Sequence, residues 1–163
     1  MDYANDRDML ARFKREELVA LTDHENNAAL DVGRIKRALA DAQTVIDGRI
    51  GMVYRLPLTG CAKPPVRKGV AAQYVPPPQL TRIACDIARY YLHDDLAPEH
   101  EVYRRYKDAI AQLDAIASGN AQLACPWGGS PGELLTSDAQ SGQDVRYRFS
   151  PRAVTDAEAE SYK

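Results

Sequence analysis

Apolar side chains recur along this chain at helical spacing, stretch after stretch, with polar breaks between. Over residues 5–20 the apolar positions are Met9, Leu10, Phe13, Leu18 and Val19. Met9 and Phe13 stand i,i+4, on one face of a helix. The pattern shifts after Lys14-Arg15, which predicts one short helix and then a second helical turn through Leu21. Asn5 or Asp6 caps the first of these. Thr22 to Asn27 is a polar break. Asp31 then caps a long helix whose stripe is Ile35, Leu39, Ala42, Ile46 and Val53, widened by Ala38 and Val45. Run to Tyr54, that helix would measure ~35 Å at the usual rise per residue. Gly48 and Gly51 near its end each cost roughly 1 kcal/mol against alanine, so they predict close packing or an earlier end.

Residues 55–79 hold Pro57, Pro64, Pro65, Pro76, Pro77 and Pro78. Proline removes amide donors and blocks helix, so this stretch reads as a long excursion. Within it, Val66–Val70 and Gln73–Val75 are expected to form a small hairpin. A further helix starts near Pro78, with Leu80, Ile83, Ala84, Ile87 and Tyr91 on one face and His93-Asp94-Asp95 closing it. The last starts at Pro98-Glu99, with Val102, Tyr106, Ile110, Leu113 and Ala117 as its stripe. Glu101 and Arg105 form an i,i+4 pair, and Gly119 terminates the helix. After Asn120 the composition changes. Cys125 to Gly132 is expected to be irregular, an elbow. Val145-Arg146-Tyr147-Arg148-Phe149 alternates as a short strand does. This tail is expected not to bury itself on the helices; it drapes over a partner or is disordered alone. The fold expected is mainly α: a bundle of four to five helices in residues 1–118, a proline-rich loop, and an extended arm over 119–163.

Charge and composition narrow the classes. The formal net charge is −2, so no global basic field draws the chain to DNA or lipid. No run of about 18 apolar residues suggests a membrane span, and the acidic, polar start lacks the apolar core of a signal peptide. A cytoplasmic setting is expected. The three cysteines, Cys61, Cys85 and Cys125, are odd in number and widely spaced, which predicts free thiols. Cys85, inside an apolar helical pattern, reads as a small buried hydrophobe.

Each chemical motif has a plainer reading. Asp23-x-Glu25-x-Asn27 has the rhythm of a calcium loop, but the sixth position is Ala28 and the twelfth Arg34. Glycine and a bidentate glutamate belong there, so the segment is a polar turn and helix cap. His24, His93 and His100 have no zinc spacing relative to the cysteines and read as surface histidines at helix ends. Cys61 and Cys125 lack a nucleophile motif. Trp127-Gly128-Gly129-Ser130-Pro131-Gly132 has no lysine after its glycines, which argues against phosphate cradling. No cofactor, no metal and no enzymatic activity are expected. The basic groups Arg34/Lys36/Arg37 and Arg104/Arg105/Lys107 read as solvated helix faces. Lys63, Arg67 and Lys68, and Arg146, Arg148 and Arg152, have fewer acid neighbours. The loop cluster suits nucleic acid or a neighbouring protein surface. In the tail, Tyr147 and Phe149 alternate with the arginines, which favours a protein interface.

The helix Leu80-Thr81-Arg82-Ile83-Ala84-Cys85-Asp86-Ile87-Ala88-Arg89-Tyr90-Tyr91-Leu92, with Pro98-Glu99 and Arg105-Tyr106 after it, resembles the Mu-like prophage neck proteins. Tyr3-Ala4, Asp8-Met9-Leu10, Arg12-Phe13, Glu17-Leu18 and Leu21-Thr22-Asp23 are similar to that family's opening. Arg37 to Ala42, Ile46-Asp47-Gly48 and Tyr54-x-Leu56-Pro57-Leu58 match its long helix and the exit from it. Arg146 to Phe149 with Arg152 looks like its C-terminal extended segment. The excursion between Leu58 and Pro78 is longer than the family's, and the first loop is a degraded version of its counterpart. The resemblance implies a non-enzymatic head–tail connector forming a ring beneath the portal, through which packaged DNA passes. It implies portal and tail-side neck or terminator proteins as partners, self-association, and a place in the host cytoplasm and then the virion neck. The alternative is a nucleic-acid-binding accessory protein using the 63–68 loop.

Overall fold

The computed structural model describes residues 1–23, 29–65, 67, 71–93 and 100–135. Its elements are α1 (Asp6–Arg12), α2 (Arg15–Thr22), α3 (Val32–Ile50), β1 (Cys61–Lys63), β2 (Gln73–Val75), α4 (Pro78–Leu92) and α5 (Glu101–Ala117). The chain is mainly α, as the periodicity predicts.

Local chemistry accounts for the helix ends. The Asn5 side chain accepts from the amides of Arg7 and Asp8, and Asp8 accepts back from the Asn5 amide, a reciprocal capping box. Asp31 caps α3 by accepting from the Arg34 amide at 3.1 Å. Gly51 ends α3 earlier than the sequence pattern suggests: a β-carbon there would stand 2.8 Å from the Asp47 carbonyl oxygen. Pro78 opens α4, where its missing amide has no partner to lose. Gly119, at φ +76°, follows the end of α5 as a left-handed terminator.

α4 is the central element. It packs against α1, α3 and α5, and buries Leu80, Ile83, Ala84, Cys85, Ile87, Ala88 and Leu92. Burial on more than one side explains why its apolar positions outrun a single stripe. Ala84, Cys85 and Ala88 are small enough to let neighbouring helices approach. Each fully buried isoleucine contributes roughly 1.5–3 kcal/mol. Ile35, Ala42, Ile46 and Ile50 face it from α3, and Ala109, Leu113 and Ile116 from α5. Three expected core positions, among others, lie further out: Tyr91 is exposed, and α5 uses Ala109 and Ile116 where Ile110 and Ala117 are only half-buried.

Polar ties lock the shell. Glu17 on α2 pairs with Arg89 on α4, whose guanidinium also lies 4.6 Å from the centre of the Phe13 ring. Arg49 on α3 pairs with Asp114 on α5 at 2.9 Å. Arg105 and Glu101 form the expected i,i+4 pair at 2.6 Å. Arg105–Glu101 is exposed, and pairs of that kind are worth ~0–1 kcal/mol, whereas Glu17–Arg89 is part-buried. The Tyr3 phenol donates to Asp47, and burial followed by that acceptor pushes its pKa up.

The proline-rich excursion does contain a hairpin, built differently from the expected one. β2 is Gln73–Val75, but its antiparallel partner is Cys61–Lys63, with Cys61 opposite Val75. The putting of β1 before Pro64-Pro65 follows from chemistry: two prolines cannot sit inside a paired strand.

Candidate functional site

The chain brings three segments together at one end of α3. Residues 53–55 run antiparallel to 133–135: the Arg55 amide donates to the Glu133 carbonyl and the Leu135 amide to the Val53 carbonyl, both at 2.8 Å. The Thr59 hydroxyl and the Gly60 amide both donate to the Pro131 carbonyl, at 2.8 and 2.9 Å. The buried Tyr54 phenol accepts from the Leu123 amide at 2.9 Å, and Leu123 joins the core. Gly60 has φ +88°, and a β-carbon there would stand 2.8 Å from the Val75 carbonyl oxygen, so this crossing requires glycine.

A disulfide closes the arrangement. Cys61, at the start of β1, is bonded to Cys125, with Cα atoms 5.3 Å apart across 64 residues of sequence. This overturns the expectation of three free thiols. Spacing along the chain carries no information on proximity; the antiparallel pairing of residues around 54 and 134 is what brings the two sulfurs together. Cys85 is the free cysteine, buried as expected, and burial pushes its thiol up to about 12. A thiol held protonated is a poor nucleophile.

The first part of the expected arm also behaves differently. The stretch after Asn120 does not leave the bundle but lies on it through Leu135. The glycine-rich elbow is an ordered turn: the Gly128 amide donates to the Cys125 carbonyl and the Cys125 amide to the Gly129 carbonyl, with Gly128 and Gly129 both at positive φ. It holds Trp127 45% exposed at its tip. Tyr74 on β2, 60% exposed, and Leu134, 43% exposed, belong to the same three segments.

Of the residues singled out beforehand, Lys63 ends β1 and is exposed, and Arg67 is exposed beyond it. Lys68 lies outside the described residues. So do Arg146, Tyr147, Arg148, Phe149 and Arg152, and the 24–28 portion of the degraded calcium loop, with His24. His93, the C-cap of α4, and His100, the N-cap of α5, bring their rings to 5.9 Å, and His100 Nδ1 accepts from the Val102 amide. Among the described residues, no group of three or more His, Cys, Asp or Glu is placed to hold a metal. Nor, among them, is any helix long and apolar enough to cross a membrane.

Residues 3–139 match the family described as bacteriophage Mu, Gp36. The chain belongs to that family. It is similar to gene product J of Escherichia phage Mu, 29% identical over 147 residues, covering 89% of this chain and 87% of the phage protein. It is also similar to the Mu-like prophage FluMu protein gp36 of Haemophilus influenzae, 31% identical over 121 residues and covering 74% of each. The family match takes in all of the bundle and the clipped segment through Leu135. It stops short of Arg146, so the tail cluster lies beyond what the family shares over its matched length.

Proposed function

We propose that this Mu-like phage protein is a structural head–tail connector, bound to the portal and repeated in a ring through which packaged DNA passes. Family membership over residues 3–139 is the observation that carries the reading. It assigns the protein to phage biology; the connector role is inferred from the resemblance of the α4 and α5 sequences to neck proteins. The architecture is compatible: a small rigid bundle, and a C-terminal segment anchored at Leu135 from which 28 further residues continue. In this reading Arg146, Tyr147, Arg148, Phe149 and Arg152 grip portal or a neighbouring subunit, and the protein performs no catalysis. Tail-side neck or terminator proteins complete the joint. Weak subunit contacts become stable once portal templates the ring, since linked modest interfaces sum.

Native mass spectrometry or light scattering tests this with the full chain, alone and with portal. A monomer that becomes a ring only with portal is expected. Removing residues 136–163 should leave the bundle folded and abolish portal binding. The cut belongs after Leu135, because Leu123 and Cys125 are structural. Normal portal binding by the truncated chain would sink the role given to the arm.

The exposure of Lys63 and Arg67 favours a second reading, a nucleic-acid-binding accessory protein. Its mark is an affinity for DNA that falls steeply with salt; no binding at low salt removes it.

A further inference from the structure

Arg105, exposed as expected of a solvated helix face, also borders a cleft between α1, α4 and α5. The cleft has a volume of about 250 Å³ and is lined by Arg12, Phe13, Arg82, Asp86 and Arg105. Three guanidiniums from three different helices therefore converge on one carboxylate. Asp86 forms the floor and is only 7% exposed. Arg82 is its nearest cation, at 3.7 Å, and also donates to Gln112 on α5 at 2.5 Å. Arg105 is held by Glu101, itself well exposed. With Glu101 also counted, the three cations outnumber the two carboxylates beside them, so the cleft carries a net positive charge.

We propose that this cleft is a docking site for carboxylate side chains of an acidic, extended segment of a partner protein. Guanidinium forks match carboxylate geometry, two donors to two oxygens. The Phe13 ring gives the cleft an apolar wall suited to the methylene stem of a glutamate. A second cavity, lined by Asn5, Asp8, Val75, Pro76, Pro78 and Thr81, shares Arg12 with the first. An extended chain passing Val75 and Pro78 therefore reaches Arg12 and then Arg82 and Arg105. Duplex DNA fits poorly: its phosphates lie on a broad convex surface, which does not enter a cleft of about 250 Å³. The proposal does not depend on the connector role or on residues 136–163.

The test is fluorescence anisotropy on the full chain, using a rhodamine-labelled peptide of alternating glutamate and alanine, with a glutamine–alanine peptide as its neutral counterpart. The acidic peptide should bind, and the neutral one should not. Arg12→Gln and Arg105→Gln should each weaken binding about tenfold. Arg104→Gln removes the same charge from an exposed position outside the cleft and should change binding less than twofold. Asp86→Asn should tighten it several-fold, a gain that a merely structural role for the floor would not produce. The proposal is overturned by equal losses for Arg104→Gln and Arg105→Gln, or by no binding of the acidic peptide. It is equally overturned if inorganic phosphate or a short DNA duplex displaces the peptide at lower concentration than unlabelled peptide does, which would make phosphate the ligand.

Discussion

Asp86 shows how one residue can carry conflicting demands. Burial raises its pKa, against the opposing pull of Arg82, Arg105, Arg12 and Arg89. A carboxyl that holds its proton more tightly folded than unfolded makes the fold relatively more stable at low pH. That contribution is present below the unfolded carboxyl's pKa and is lost as pH rises through the folded one. Asp86→Asn cannot ionise and should therefore melt at a higher temperature than the natural protein at pH 7. The gap should close as pH falls below about 4, where an unfolded aspartate also protonates. Melting curves of both proteins at matched pH values check this. No pattern in the sequence announces the site, because Asp86 reads as one more polar position in an amphipathic helix. Arg12 is separated from Arg82 by most of the fold, and only the seating of α1 against α4 brings them together.

Helices were legible from the sequence because each is governed by neighbours within a turn: Asn5, Asp31, Pro78 and Gly119 sit at ends they chemically specify. The hairpin and the clipped segment were not, since their partners are distant in sequence. Residues 73–75 announce a strand by composition, but its mate is chosen by Gly60 and by the prolines that exclude residues 64–65. The disulfide makes that long-range choice covalent. By chain-entropy reasoning, closing a loop of this length stabilises the fold by about 4 kcal/mol. Replacing both Cys61 and Cys125 by serine should cost roughly 2–5 kcal/mol in denaturant titration, while helical circular dichroism before the transition stays essentially unchanged. A loss below about 0.5 kcal/mol would mean that the hydrogen bonds to Pro131, Glu133 and Val53 hold the segment unaided.

At the level of the whole molecule, the 61–125 link makes a covalent ring that contains β1, β2, α4 and α5. Tension applied between the two ends of the chain has a shortcut: it enters at Cys125, crosses to Cys61, and never loads the backbone between them. The most deeply buried helix and its motif-rich sequence are thereby sheltered from mechanical stretching, while α1 to α3 stand in the line of force. Pulled by optical tweezers, the oxidised protein should release about 220 Å less contour length than the reduced one, the reach of the bypassed residues. Equal extensions with and without reductant would show that the ring does not exist in solution. Such a bypass sets which half of the domain yields under strain and which half keeps its shape.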